Sequence, residues 1–151
     1  MTEQQTKVAG AGSGWLLIAW LLALLSTLAA LFIGEVMGQM PCTLCWYQRI
    51  CMFPLALILG VAVMRNDSAV HAYAVPLALI GFVIAGYHSL LYGGLIEAPL
   101  VPCSQGSDCS GEGMTLFGVL PIPYLAVLAF AAITALLCFD LKLRATRRNE
   151  V

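Results

Sequence analysis

The stretch WLLIAWLLALLSTLAALFIG, residues 15–34, carries no charged side chain over its whole length. As a helix it is long enough to cross the roughly 30 Å hydrocarbon core of a bilayer. It is longer than the apolar part of a usual leader and lacks a small-residue cleavage site, so it reads as a retained span. Three further apolar runs follow, at about 46–64, 73–92 and 119–139. The chain of 151 residues is 61% hydrophobic and only 10% charged, with a mean hydropathy of +0.92. Soluble domains are usually about 45–50% apolar and about 25% charged. The expectation is one all-α integral membrane domain over 1–151, a bundle of four transmembrane helices with no internal repeat.

The basic residues set an orientation. Lys7 precedes the first run, Arg65 lies between the second and third, and Lys142, Arg144, Arg147 and Arg148 follow the fourth. With four spans these all fall on one side, which the positive-inside rule makes cytoplasmic. Both termini are then cytoplasmic, as short mobile tails. The loops at about 35–45 and 93–118 hold no Lys or Arg and face outward. Trp15, Trp46, Tyr47, Tyr73, Tyr92 and Tyr124 fall near span ends, where amphipathic rings favour the interface. The net charge of −1 gives no footprint for nucleic acid.

The second run opens on MPCTLCWYQRIC, residues 40–51. Of the six cysteines, Cys42 and Cys45 sit in this first outer segment and Cys103 and Cys109 in the second. Cys51 and Cys138 lie inside apolar runs and read as small buried hydrophobes. Thiols on the outer face meet the compartment where disulfides persist. Four of them allow three pairings, and the short spacings favour Cys42–Cys45 with Cys103–Cys109. A structural staple suits the second pair better than the first, because closing so short a loop removes little chain entropy. Zinc ligation is disfavoured, since the outer loops contain no histidine, and no metal is expected. Covalent haem attachment needs a histidine where Trp46 stands.

Redox chemistry uses the same atoms better. Cys45 falls near the first turn of the second helix, where the helix dipole favours a thiolate. Arg49 follows four residues later on the same face. Its placement about one turn inside the apolar region costs a few kcal/mol, which points to an anionic or carbonyl ligand there as against snorkelling to headgroups. His88, four residues before Tyr92, falls at a similar depth on the third helix. The two could bracket a ligand that lives in the bilayer. His71 reads as interfacial. A cycling dithiol needs a two-electron acceptor, and the chain has no dinucleotide, haem or flavin motif. A membrane quinone fits. The loop bearing Cys109 has about ten residues before the fourth helix, a reach of roughly 33–36 Å, so Cys109 can approach Cys42.

PCTLCWYQRICMFPLALILG, with PIPYLAVLAF opening the fourth run and a cysteine pair in the second outer loop, resembles the DsbB/BdbC family of quinone-coupled thiol-disulfide oxidoreductases. The resemblance covers nearly the whole chain. The five-residue spacing between Cys103 and Cys109 is similar to the compact BdbC-like branch. It implies a bacterial cytoplasmic-membrane enzyme that reoxidises a thioredoxin-fold thiol oxidase, DsbA- or BdbD-like, and passes the electrons to ubiquinone or menaquinone. By resemblance, the partner attacks the Cys103–Cys109 disulfide through Cys103, and Cys109 exchanges with Cys42. Cys45 then forms the adduct with quinone, with Arg49 and His88 as the quinone contacts. A vitamin K epoxide reductase-like enzyme carries its loop cysteines before its C-x-x-C, the reverse of the order here. A non-catalytic scaffold with stapled loops leaves Arg49 unexplained.

Overall fold

The computed structural model describes residues 3–96, 115–116 and 120–149, with side chains from Gly14 onward except at 116 and 120. Four long helices dominate it: α1 (Glu3–Leu31), α2 (Thr43–Arg65), α3 (His71–Tyr92) and α4 (Ile122–Asn149). All four are long and apolar enough to cross a membrane. A two-residue antiparallel pair, β1 (Thr115–Leu116) with β2 (Leu120–Pro121), leads into α4. The architecture is therefore the all-α membrane bundle.

Several boundaries differ from those expected, each for a local reason. Residues 3–13 continue α1 as helix, and α4 runs on past Phe139 to Asn149, so neither end is a non-helical tail over these residues. In α4 the extension is held by Arg144, whose Nε donates to Asp140 Oδ2 one turn earlier at 2.7 Å. The C-terminal Arg147 and Arg148 suit the negative end of the helix dipole. At its other end α1 widens into a π-turn over Phe32–Val36, closed by Met37 N–H donating to Phe32 O. The helix α2 starts at Thr43, earlier than Trp46, because Cys42 caps it. Pro54 and Pro76 stand inside continuous helices, α2 and α3. Pro121 and Pro123 flank the first residue of α4, where a missing N–H costs nothing.

A short connection turns α2 back into α3. Asn66 takes the left-handed conformation (φ 50°) that asparagine tolerates, and its N–H and that of Asp67 close on the last carbonyls of α2. The chain thus runs up and down: α1 packs on α2 and α4, and α3 on α2 and α4. Trp15 meets Phe139 edge-on at one end of the bundle, and Tyr92 meets Tyr124 at the other.

The core is a set of seams at heptad spacing. On α3 the buried residues are His71, Ala74, Ala78, Gly81, Ala85, His88 and Leu91. Small side chains let membrane helices approach closely, and dispersion then replaces the hydrophobic drive that lipid cannot supply. Gly81 marks the tightest point: a Cβ there would fall 2.1 Å from Phe130 Cε1 on α4. Opposite faces carry Ile18, Leu25, Leu57, Val83 and Leu128, all exposed to the surroundings that lipid would fill.

The stripe on α3 carries a histidine near each end. His71 is buried, with Nε2 2.9 Å from Asp140 Oδ2 and Nδ1 2.9 Å from Ser68 O. It is therefore a packed partner of a fully buried carboxylate and not an interfacial residue. His88 lies 17 positions on, about 25 Å away along the helix.

Two outcomes test this packing. Gly81→Val should destabilise the bundle by about 1–3 kcal/mol through overpacking against Phe130, whereas Gly86→Ala, with nothing within 4 Å of its Cβ, should be near neutral; thermal unfolding in detergent reads both. Asp140→Ala should cost about 3–5 kcal/mol, because it strands the buried His71 and the Arg144 head without their common acceptor.

Candidate thiol–histidine site

The site grows from the start of α2. Cys42 has extended backbone (φ −68°, ψ 167°) and serves as the N-cap, its Sγ accepting the Cys45 N–H at 3.4 Å. An N-cap acceptor normally is an oxygen of Ser, Thr, Asp or Asn. Here a sulfur takes that place, against the positive end of the helix dipole. One turn of helix also brings Cys45 Sγ to 3.1 Å from Cys42 Sγ. That is beyond a covalent S–S bond of about 2.05 Å, so the pair stands as a dithiol with Cys42 donating its S–H.

The seam on α3 delivers the third member. His88 is fully buried, and its Nε2 lies 3.7 Å from Cys42 Sγ. Its Nδ1 is 3.1 Å from Gln48 Nε2. Gln48 is itself buried at the head of the α2 seam, one turn below Cys45. An amide N–H donated to Nδ1 leaves the ring proton on Nε2, aimed at the Cys42 sulfur. Leu91, Leu44 and Tyr92 close the apolar wall around the pair. Cys42 is only 1% exposed, and Cys45 is the more open of the two.

The Cys42 thiol is pushed up from 9.0 to about 12. The leading cause is its S–H bond to Cys45, followed by burial; His88 pulls the other way without prevailing. In the dithiol state the proton therefore stays on Cys42.

Arg49 takes a different direction. Its Nη2 donates to Ala30 O on α1 at 2.8 Å, and its guanidinium lies 5.4 Å from the centre of the Trp46 ring. Gly34, in the π-turn, makes room for it, since a Cβ there would sit 2.8 Å from Nη2. Arg49 thus turns toward α1 while Gln48 and His88 meet on the α3 side. Cys103 and Cys109 lie outside the described residues. Cys51 is buried in the apolar core and Cys138 half-buried.

Gln48 and Asp140 are the polar residues that sequence reasoning passed over. Gln48 follows Cys45 by three positions and so shares its face. Asp140 continues the buried spacing of Phe130, Ile133 and Leu137 on α4. In both cases the signal was a polar residue falling on an apolar seam.

Comparison with known proteins gives the family. The family described as "Disulfide bond formation protein DsbB" matches residues 12–139. The chain belongs to the DsbB family. It is 58% identical over 129 residues to the "Probable disulfide formation protein" of Metapseudomonas resinovorans, covering 83% of this chain and 90% of the relative. It is 40% identical over 124 residues to "Disulfide bond formation protein C" of Bacillus subtilis (strain 168), covering 82% and 90%. A "Probable disulfide formation protein" of Coxiella burnetii (strain Dugway 5J108-111) is 40% identical over 115 residues, 76% of this chain and 78% of that one. No solved structure matches the chain. As a DsbB-family protein it is a multi-pass membrane oxidoreductase acting in disulfide formation.

The proton placement within the dithiol is testable. Replacing Cys45 by Ala removes the leading cause of the Cys42 shift and should bring its titration down from about 12 toward 9.0, with burial holding it above that value. A raised thiol pKa adds stability to the reduced fold below the unfolded value, and that stability is lost as pH rises toward 12. The pH dependence of Cys42 alkylation, compared with and without Cys45 in chains lacking Cys51, Cys103, Cys109 and Cys138, reads the shift.

Proposed function

We propose that this DsbB-family protein oxidises a thioredoxin-fold thiol oxidase of the DsbA or BdbD kind and delivers the electrons to a membrane quinone, ubiquinone or menaquinone. The observation that carries the reading is the packing of Cys42 and Cys45, 3.1 Å apart, against buried His88 at the end of a membrane-length helix. A dithiol held at that depth meets lipid-soluble acceptors more readily than soluble ones.

The sequence of transfers balances. A reduced partner with two thiols attacks the Cys103–Cys109 disulfide, by way of Cys103, and leaves as a disulfide while Cys103 and Cys109 become thiols. Cys109 attacks Cys42 in an oxidised Cys42–Cys45 pair, forming a mixed disulfide and releasing Cys45 as thiolate. Cys103 then attacks Cys109 within the mixed disulfide, which re-forms the Cys103–Cys109 bond and frees Cys42 as a thiol. Re-formation of the Cys42–Cys45 bond releases two electrons and two protons, which a quinone would take up to leave as quinol.

Each residue of the cluster has a task in this scheme. The Nε2 proton of His88 faces Cys42 and stabilises negative charge on that sulfur when it is a leaving group or nucleophile. Gln48 holds the ring in that tautomer. Arg49, one turn below Cys45, offers guanidinium donors to a quinone carbonyl as it takes on charge; its bond to Ala30 O and the Trp46 ring position it. The basic residues Arg65, Lys142, Arg144, Arg147 and Arg148 cluster at the bundle end opposite Cys42. By the positive-inside rule that end is cytoplasmic, which puts the thiols on the outer face where exported proteins acquire disulfides.

The test is quinone reduction with excess reduced thioredoxin-fold partner. Wild type should turn over, Cys45→Ser should not, and Arg49→Ala should raise the quinone KM by about tenfold or more. Folded wild type that reduces no quinone with any such partner would overturn the reading. Cys42→Ser adds a check against a stapled scaffold, since it should abolish turnover and leave thermal stability within about 1 kcal/mol.

A further inference from the structure

The lack of histidine in the outer loops argues against a metal site at the cysteines, yet the fold supplies one from the third helix. Cys42 Sγ, Cys45 Sγ and a ring nitrogen of His88 all lie within 4.8 Å of one another. We propose that the reduced site binds a soft divalent cation of the zinc class, through Cys42, Cys45 and His88, and that this capture arrests the enzyme in its reduced state.

The donor set is chemically matched. Two thiolates and one imidazole are ligands of choice for zinc and cadmium. With metal–sulfur bonds of about 2.3 Å and metal–nitrogen bonds of about 2.0–2.1 Å, tetrahedral angles place the two sulfurs about 3.8 Å apart and sulfur and nitrogen about 3.6 Å apart. The Cys42 sulfur lies 3.7 Å from the ring nitrogen, the two sulfurs must open from 3.1 Å, and the Cys45 sulfur lies within 4.8 Å of a ring nitrogen. A side-chain rotation of Cys45 at the helix start can provide that opening.

The second requirement is a lone pair on His88 Nε2. Gln48 meets this as well. Turning its amide over places Oε1 where Nε2 lies, 3.1 Å from His88 Nδ1. The carbonyl oxygen then accepts the Nδ1 proton and leaves Nε2 open toward the sulfurs, the outer-shell support that histidine ligands usually have. The same glutamine therefore serves both tautomers, one donating to sulfur and one binding metal. Three protein ligands leave a fourth position open for water or an exogenous group.

Capture exchanges two thiol protons for one cation: M²⁺ with two S–H groups gives a dithiolate complex and two protons, without electron transfer. The disulfide form offers no thiolates and is immune. Metal sensitivity is consequently confined to the reduced half of the cycle.

The experiment uses the full chain with Cys103→Ser and Cys109→Ser, reduced and in detergent, titrated anaerobically with Cd²⁺ while following the ultraviolet sulfur-to-cadmium charge-transfer band. A band saturating at one ion per chain, absent after oxidation of the pair and lost with Cys45→Ala, is expected. Gln48→Leu should weaken binding by about 10–100-fold, and His88→Ala by at least as much. No band in the reduced chain, or undiminished affinity in a folded His88→Ala variant, would overturn the proposal. Cadmium NMR of the chain with His88 intact gives a reading that needs no histidine substitution: mixed sulfur–nitrogen ligation supports the site, and a shift of purely sulfur ligation overturns it. Neither quinone nor partner enters these measurements, so they stand or fall apart from the electron-transfer reading.

Discussion

The close approach of α3 to its neighbours is the constraint on which the rest depends. Ala74, Ala78, Gly81 and Ala85 present almost no side chain to the bundle, and Phe130 fills the space above Gly81 so fully that even a methyl group would collide with it. In lipid there is no hydrophobic gain from pairing apolar helices, so cohesion comes from contact at short range. That tight seam also fixes the rotation of α3 about its axis. Once Ala78 and Ala85 face inward, His71 and His88 must do the same, since all share the heptad spacing.

The two ends of this seam use their histidines differently. At the Asp140 end, a fully buried carboxylate collects His71 and Arg144 and ties the start of α3 to the last turns of α4. The arrangement adds a polar tie to the apolar packing of Val70, Ala74 and Leu137 at that end. At the cysteine end, His88 meets a sulfur and an amide, both able to change partners. One end is a fastening, and the other is a place where protons and bonds can be exchanged.

Cys42 concentrates the contacts at that end. It caps α2, donates to Cys45 and touches His88, so three influences act on one sulfur. Helix N–H and imidazole favour negative charge there, whereas the neighbouring thiol and burial oppose it, and the opposition prevails in the dithiol. A sulfur that keeps its proton while its partner is also reduced is well suited to a pair that must wait for an acceptor. A group that breaks the Cys42–Cys45 contact, whether a mixed disulfide or a cation, removes the leading opposing influence.

Much of this was legible in one dimension. Apolar runs of membrane length determine the four helices, because no other structure satisfies so many backbone groups in hydrocarbon. The spacing of Cys42 and Cys45 determines that their sulfurs meet, since three residues make nearly one helical turn, and the motif through Arg49 marks the family. Other features depended on how helices rotate and approach. Whether Arg49 turns toward α1 or α3 is decided by the gap at Gly34 and the carbonyl of Ala30. Gln48 became a partner of His88 only through the α2–α3 packing, and a His71–Asp140 pair 69 positions apart in sequence required α3 and α4 to lie side by side. Local periodicity dictates which face of a helix is apolar; the neighbour that face meets is set by the close packing of small residues across the whole bundle.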